Sequence, residues 1–275
     1  MEDSEVMFEV LISTCNKGLE SAIEVLLPYD PRVRYILVHQ LFDKDLSENN
    51  FIEADKVLKK RKDIVLIRSK TKGLSKSRNI AIAQSSAPYL IFADDDIQYL
   101  PNVFDLILDA FKKLPDAGVI TFRFQNKNGE HGKKYPDDVS VRTIRNLFSV
   151  SSVEVALRRD IVVKTNTRFD ERFGLGAEFP VSEENIFLTD LYKKGTRIFF
   201  YPQDLLVHPD ITSGNTWGGK HLIARGALFR RVFGLKGMPL LLVFLCKHGK
   251  KISKESGFFA GLIIAMHSFL SFRGN

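Results

Sequence analysis

Short apolar runs alternate with polar, helix-prone segments over residues 1–210. The apolar runs predict strands at residues 8–12, 34–38, 64–67, 89–92, 119–124, 147–157 and 197–201. Helices are predicted between them, most clearly at residues 101–114, where apolar side chains recur at helical spacing, and at residues 183–194, which Gly195 ends. Strands that alternate with helices at this spacing predict an α/β fold with a mostly parallel central sheet flanked by helices.

The C-terminal part of the chain has a different pattern. Two strongly apolar segments, residues 238–246 and 257–272, enclose the basic segment 247–254. Residues 211–275 hold ten Lys and Arg against one acid, Glu255, whereas residues 1–210 hold 30 Lys and Arg against 32 acids. We therefore predict a globular domain at residues 1–210 and a helical extension, basic and apolar, at residues 211–275.

Two interpretations of this extension stay open. Each apolar segment is shorter than the roughly 20 residues that a membrane-spanning helix needs. Basic residues beside Phe-rich apolar helices are typical of a segment that lies on an anionic membrane surface. The alternative is a helical pair that packs on the domain or forms an oligomer. Nucleic acid is not an expected partner, because the aromatic residues are grouped in apolar runs and do not alternate with basic residues.

The composition is that of an ordinary globular protein, with 44% hydrophobic and 27% charged residues among 275. The two cysteines, Cys15 and Cys246, are far apart and lack a metal-type spacing, which favours a reducing compartment. Acidic residues stand at the N-terminus, where a secretory signal would be basic. We therefore expect a cytoplasmic protein, peripheral on the inner face of the cell membrane if the extension binds lipid.

Three adjacent carboxylates, Asp94, Asp95 and Asp96, directly follow the apolar run at residues 89–92. Adjacent carboxylates repel and raise one another's pKa unless a positive charge lies between them. A divalent cation that holds a phosphate-bearing ligand would supply this charge, and hard oxygen ligands suit Mg²⁺ and Mn²⁺. Ligands of open α/β sheets bind at the carboxyl ends of the strands. The alternative is a solvated acidic turn that caps the next helix.

A polar segment at residues 71–83, TKGLSKSRNIAIA, precedes these carboxylates and leads into a helix. Backbone amides at a helix start and a nearby arginine attract phosphate oxygens. Ser and Asn before a helix are also ordinary caps. The position of the segment one element before the three Asp residues favours phosphate binding.

Glu183 and Glu184 stand where a Gly-rich loop, residues 169–180, leads into a helix. Acids in the first turn of a helix interact favourably with its dipole, so simple capping is one interpretation. The other is that one carboxylate is a general base that takes a proton from an attacking hydroxyl. His208 follows the last predicted strand, and neutral imidazole is a common metal ligand, although a lone His is more often structural.

Four ordered segments resemble the GT-A glycosyltransferases of family 2. They are FEVLISTCNKG at residues 8–18, GLSKSRNIAI at 73–82, YLIFADDDI at 89–97 and GLGAEFPVSEENIFLTDLYKKG at 174–195. The resemblance covers about the first 210 residues. It implies a Rossmann-like GT-A fold and an inverting transferase of the hexosyltransferase type. The implied donor is a nucleotide diphosphate-sugar, expected to be a UDP-sugar, and the implied cofactor is Mn²⁺ or Mg²⁺. The expected acceptor is a saccharide or lipid-linked saccharide in bacterial surface polysaccharide or glycan assembly.

The resemblance also implies roles for single residues. Glu184 matches the catalytic base, Asp94 the ribose contact and Arg78 the contact to the nucleotide or its phosphates. Asp96 and His208 match the metal ligands, although Asp95 leaves the metal-binding pair open. The full expected set is Glu184 for catalysis; Thr14, Asn16, Gln40, Gly73, Ser75, Arg78, Asn79, Asp94 and Asp95 for the donor; Gly176 and Glu183 for the acceptor; and Asp96 and His208 for the metal.

Two positions depart from the family pattern. The base is Glu where Asp is commoner, which keeps the chemistry and lengthens the reach by one methylene. His39 and Gln40 stand where many relatives carry an Asp that recognises the nucleotide base. Two other function classes stay open: a nucleotidyltransferase, which the segment STCNKG after the first strand matches poorly, and a non-catalytic nucleotide-sugar-binding protein.

Overall fold

The computed structural model describes residues 5–208 and 216–273. The strands are β1 (Phe8–Cys15), β2 (Val33–Gln40), β3 (Ile64–Ser69), β4 (Tyr89–Asp94), β5 (Gln98–Tyr99), β6 (Val119–Gln125), β7 (Ser140–Val141), β8 (Val155–Arg158) and β9 (Ile198–Val207). The helices are α1 (Leu19–Glu24), α2 (Ile52–Lys59), α3 (Leu74–Gln84), α4 (Val103–Lys113), α5 (Ile144–Leu147), α6 (Arg159–Thr165), α7 (Glu183–Lys193), α8 (Gly219–Phe233), α9 (Gly237–Lys247), α10 (Gly249–Ser256) and α11 (Phe258–Ser271).

The chain forms two compact units. The first consists of Met1–Lys72, Lys76–Arg168 and Leu191–Asp210, and the second of Gly73–Ser75, Phe169–Asp190 and Ile211–Asn275. The second unit therefore includes the Gly-rich loop and the start of α7 as well as the C-terminal helices. The predicted boundary at residues 210–211 lies outside the described residues, and the division into a domain at 1–210 and an extension at 211–275 stays a prediction.

All nine strands of the described residues form one sheet in the first unit, in the order β3-β2-β1-β4-β8-β6-β9-β5, with β7 paired to β9. β1 lies between β2 and β4 and is parallel to both. It is buried along nearly its whole length, as expected of a central parallel strand. Because the chain runs outward from β1 to β3 and returns to β4 on the other side of β1, the carboxyl ends of β1 and β4 form a topological switch point.

The register of these strands determines which residues meet at that edge. Ser13 of β1 is opposite Asp94 of β4, and Thr14 is opposite His39 of β2. The sheet is mixed beyond β4, because β8 runs antiparallel between β4 and β6, and β5 and β7 run antiparallel to β9. The acidic cluster thus lies where an α/β sheet binds its ligands.

One predicted strand is wrong. Residues 147–157 contain only the short β8, preceded by the end of α5 and by a 3-10 turn at Ser152–Glu154. Ser151 and Glu154 form a capping box, in which each side chain bonds to the backbone of the other residue. This polar pair starts a turn inside an otherwise apolar run, so the strand begins only at Val155.

The described part of the second unit contains α8–α11 together with the loop and helix start. α8 and α11 cross at Gly226, where a Cβ atom would lie 2.1 Å from the backbone oxygen of Ala265. Only glycine permits this approach of the two backbones. Among the described residues, no helix is both long enough and apolar enough to span a membrane. Cys246 on α9 is exposed, as is Cys15 at the end of β1 in the first unit.

Candidate active site

Polar side chains line the edge of the sheet at the carboxyl ends of β1, β2 and β4. Thr14 Oγ1 donates a hydrogen bond to the carboxylate of Asp95. Gln40 Nε2 donates to Thr71 Oγ1 at 2.9 Å, which connects the end of β2 with the segment before α3. The structure therefore brings Thr14, Gln40 and the three adjacent Asp residues to one edge of the sheet in the first unit.

Arg78 is almost fully buried, at 1% exposure. Its Nη2 donates to Asp94 Oδ1 at 2.8 Å and to Ser152 Oγ at 2.7 Å. A buried guanidinium paired with a carboxylate restricts the orientation of that carboxylate. Arg78 therefore positions Asp94, while its predicted contact with the nucleotide stays a prediction. Asn79, the next residue of α3, is also buried.

Different groups lower the pKa of Asp95 and of Asp96. Burial raises the pKa of Asp95, the Thr14 hydrogen bond lowers it, and the charges of Asp94 and Asp96 raise it further. Burial also raises the pKa of Asp96, His208 lowers it, and Asp94 raises it. Both carboxyl groups thus have a pKa above the ordinary value, as expected of a site suited to a positive charge.

His208 lies beside Asp96, with 3.7 Å between Nε2 and Oδ1. The antiparallel pairing of β5 with β9 causes this approach, because Gln98, which follows Asp96 by two residues, is opposite Val207. The His208 backbone N–H also donates to the oxygen of Gln125 at 2.9 Å. Two residues far apart in sequence are thereby held close enough to share a cation.

The residues present fit a metal that is held jointly with a nucleotide. Among residues 5–208 and 216–273, no group of three or more His, Cys, Asp or Glu side chains could hold a metal ion. Asp96 and His208 offer one carboxylate and one imidazole, which are donors that suit Mn²⁺, while Mg²⁺ prefers oxygen ligands. Such ions commonly complete their coordination with substrate phosphates and water.

Asn16 and His39 fix the backbone next to the carboxyl ends of β1 and β2. His39 is buried, and its Nε2–H donates to the backbone oxygen of Asn16 at 2.8 Å. Asn16 Oδ1 accepts from the backbone N–H groups of Phe42 at 3.2 Å and Asp43 at 3.0 Å. Burial lowers the pKa of His39, so its ring is neutral near pH 7. The donor roles of Asn16 and Gln40 stay predictions.

In the second unit, the residues after Gly73 contact the Gly-rich loop, and the Leu74 backbone N–H donates to the oxygen of Leu175 at 2.9 Å. The predicted donor role of Gly73 stays a prediction. Ser75 Oγ donates to the backbone oxygen of Phe173 at 2.6 Å. Gly174 has a φ of +102°, and a Cβ atom there would lie 3.2 Å from Ser75 Oγ and 3.3 Å from the Glu183 side chain. Glycine is thus needed at position 174 both for its backbone conformation and for this close approach.

Glu183 and Glu184 begin α7 in different surroundings. Glu183 is buried, at 6% exposure, whereas Glu184 is half-buried. Ser182, directly before them, has a φ of +81° that is unusual for a non-glycine residue, and its Oγ accepts a hydrogen bond from Arg225 Nη1 at 3.1 Å. Burial lowers the pKa of Arg225, and the charges of Glu184 and Glu183 oppose this shift. Arg225 therefore supplies positive charge near both carboxylates.

The same unit contains a cavity of about 470 Å³ beside the Gly-rich loop. Its lining combines aromatic rings with charged and polar groups: Arg172, Glu178, Phe179, Ile223, His267, Ser268, Ser271, Phe272 and Arg273. Gly176, predicted to bind the acceptor, lies exposed on the loop, with a φ of +80°. Aromatic faces with polar groups around them suit a polar organic ligand.

Sequence reasoning missed three residues around these sites. They are Ser152, which bonds Arg78; Ser77, whose Oγ donates to Ser13 Oγ at 2.9 Å; and Arg225, which bonds Ser182. The capping-box spacing of Ser151 and Glu154 could have indicated the turn that carries Ser152. Ser77 lies in the polar segment at residues 71–83, but no local signal marks its bond to Ser13, and none marks Arg225, because their partners are distant in the sequence.

Comparison with solved structures finds the same fold in a protein of S. aureus. The crystal structure of TarS residues 1–349 matches with a TM-score of 0.65 and 16% sequence identity, covering 96% of this chain and 80% of that one. The same part of TarS in complex with UDP-GlcNAc matches with a TM-score of 0.64, 16% identity and the same 96% and 80% coverage. These matches confirm the predicted fold class, a GT-A sheet flanked by helices with C-terminal helices present.

Sequence comparisons give two results. No curated protein matches the chain significantly. The family model described as Glycosyl transferase family 2 matches residues 10–157, which is more than half of the chain. This match includes the strand that ends at the acidic cluster and the helix that carries Arg78, and it confirms the resemblance seen in the sequence. The chain belongs to glycosyl transferase family 2.

Proposed function

We propose that the protein transfers a sugar, with inversion, from a nucleotide diphosphate-sugar to a hydroxyl of a saccharide or lipid-linked saccharide. The observation that carries this proposal is the gathering of Thr14, Asp94, Asp95, Asp96 and His208 at the switch point of the sheet. Solved structures of similar fold contain UDP and UDP-GlcNAc, which supports a UDP-sugar as the donor. Bacterial surface polysaccharide or glycan assembly is the proposed setting.

Residues of the first unit would bind the donor. Asp94, oriented by Arg78, would accept hydrogen bonds from the ribose, and Asp95, held by Thr14, would line the same site. Asp96 and His208 would hold Mn²⁺ or Mg²⁺. When bound, such an ion would neutralise charge on the departing diphosphate.

Glu184 would act as the general base. Glu184 is less buried than Glu183, which is buried against the Gly-rich loop and would orient the acceptor site. In the reaction, the acceptor hydroxyl gives its proton to Glu184, and its oxygen bonds to the anomeric carbon. The bond from that carbon to the diphosphate breaks, and the diphosphate leaves with the electron pair. The cavity of the second unit is the proposed acceptor pocket.

A panel of nucleotide-sugars, each tested with Mn²⁺, Mg²⁺ or EDTA, would test the donor assignment. We expect one UDP-sugar to raise the thermal unfolding temperature in the presence of metal, and we expect slow release of UDP from it. Asp96→Ala should remove both effects. Asp109→Ala on α4, whose side chain is 61% exposed, serves as the control and should behave as wild type. Failure of every nucleotide-sugar to stabilise or react would contradict the proposal.

A further inference from the structure

Two C-terminal helices expose apolar side chains. α9 buries Leu241 and Leu245 but exposes Val243, at 68%. α11 buries Ala265 and Phe269 but exposes a second set of side chains, Phe259 at 76%, Ile263 at 67% and Leu270 at 65%. The spacing of four and seven residues places this second set on one side of the helix. Single exposed apolar residues are common, but a row of them indicates a partner.

The helix between them supplies positive charge. α10 is anchored by the buried Ile252, and its Lys250, Lys251 and Lys254 are exposed. Glu255 is the only acid in residues 211–275, and its carboxylate accepts the backbone N–H of Trp217 at 2.7 Å. Three exposed lysines on this helix thus outnumber its one acid, and the net charge of the helix is positive.

The combination of apolar and basic side chains discriminates between partners. A second copy of this surface would bring three lysines against three lysines with Glu255 as the one acid on each α10, which costs free energy. An anionic membrane complements both features, since lysines attract its headgroups while apolar side chains enter the boundary with the acyl chains. α2 provides a contrast, because its exposed Ile52 and Val57 are accompanied by two acids, Glu53 and Asp55, that balance its two lysines, Lys56 and Lys59.

We propose that Val243, Phe259, Ile263 and Leu270, together with Lys250, Lys251 and Lys254, bind the surface of a membrane that contains anionic lipid. We call these seven side chains the C-terminal surface. Binding combines insertion of apolar side chains to shallow depth with attraction of the lysines to lipid phosphates. It does not depend on the transfer reaction proposed above.

Vesicle flotation of the full chain tests this proposal. We expect the wild-type protein to float with vesicles of phosphatidylcholine containing phosphatidylglycerol. With vesicles of phosphatidylcholine alone, it should stay in the bottom fraction of the gradient. Replacement of the three lysines by Glu should lower the partition coefficient by roughly a hundredfold, since each basic residue near the surface contributes several-fold. Phe259→Ser combined with Ile263→Ser should lower it by at least about tenfold.

Matched controls come from α2 and the residues after it. Lys59→Glu, Lys60→Glu and Lys62→Glu reverse three exposed lysines, and Ile52→Ser with Val57→Ser removes two exposed apolar side chains. Both control variants should float as wild type does.

Equal losses in control and test variants, or no flotation of wild type, would overturn the proposal. A dimer by light scattering that Phe259→Ser with Ile263→Ser dissociates, without vesicle binding, would also overturn it and assign the surface to a second copy. Thermal stabilisation by the nucleotide-sugar donor is measured on the same proteins. A loss of vesicle binding with donor stabilisation intact concerns the membrane proposal alone and not the proposed reaction.

Discussion

Two neighbouring carboxylates, Glu183 and Glu184, lie in different surroundings although their side chains are identical. Glu183 packs beside Gly174 and is buried, while Glu184, one position later on α7, is only partly buried. Successive residues of a helix point about 100° apart, so a change of face between them is expected. This difference in burial is the reason for proposing Glu184, and not Glu183, as the general base.

Glu184→Gln should remove turnover and leave donor binding intact. The amide keeps the size of the side chain but cannot take up the acceptor proton, and loss of a general base typically lowers the rate by about 10²–10⁴. The measurement is UDP release in the presence of acceptor, together with thermal stabilisation by the donor. Glu171→Gln, an exposed change in the same unit, is the control and should keep wild-type turnover. Unchanged turnover of Glu184→Gln would remove the base assignment.

Local patterns singled out the acidic cluster and the pair of glutamates as candidates, because each is a short run of unusual residues, and their roles stay predictions. The partners of these groups were not predictable. Arg78 of α3 bonds Asp94 at the end of β4 and Ser152 in the turn before β8, and both partners are distant from it in the sequence. The Asp96–His208 pair was implied by the family resemblance and not by a local pattern, because their approach follows from the β5–β9 pairing and β5 has only two residues.

At the scale of elements, the crossing of α8 and α11 depends on one glycine. Most strands were predictable because buried parallel strands are continuous apolar runs. The apolar run at residues 147–157 was misleading, because a capping box interrupts it and the strand begins only at Val155. The α8–α11 crossing had no sequence signal either, because Gly226 inside a helix ordinarily only weakens it.

Gly226→Ala should destabilise the second unit. Alanine favours a helix over glycine by about 1 kcal/mol. Its Cβ, however, would lie 2.1 Å from the Ala265 oxygen, so the helices must separate, and overpacking costs about 1–3 kcal/mol. We expect a net loss of free energy of unfolding. Urea unfolding followed by Trp217, the only tryptophan, measures it.

Gly219 on the same helix provides the matched control. A Cβ there meets no atom within 4 Å. Gly219→Ala should therefore leave the urea midpoint unchanged or raise it. Equal destabilisation by both changes would show that the crossing contact is not the cause.

At the scale of the whole molecule, charge is distributed unevenly. The excess positive charge lies in residues 211–275, and some of it is neutralised within the second unit. Arg231 pairs with Asp170 at 2.9 Å and with Asp190 at 2.8 Å, and Arg172 pairs with Asp170 at 2.7 Å. Burial raises the pKa of Asp170, but the hydrogen bonds from Arg172 and Arg231 outweigh it and bring that pKa below the ordinary value.

Acid should therefore destabilise the second unit partly through Asp170. A carboxyl whose pKa is lower in the folded state stabilises above its unfolded pKa, about 3.9, and this contribution is lost as pH falls through the folded pKa. Asp170→Asn should cost about 3 kcal/mol at pH 7 and reduce the loss of stability below about pH 4. Urea unfolding at several pH values, followed by Trp217, tests this.

Asp116→Asn is the control. Its side chain is 70% exposed, so the change should alter stability by less than about 1 kcal/mol at every pH. A parallel pH profile of Asp170→Asn and wild type would contradict the prediction.

The two exposed thiols give the chain its own chemical reporters. Cys15 follows Thr14 at the end of β1, and Cys246 lies on α9 three residues after Val243. Burial and the charge of Asp95 raise the pKa of Cys15, so it should alkylate more slowly than an ordinary exposed thiol. One alkylation time course, read by mass spectrometry, can therefore follow two events in the unmodified protein. Bound nucleotide would protect Cys15, and bound vesicles would protect Cys246.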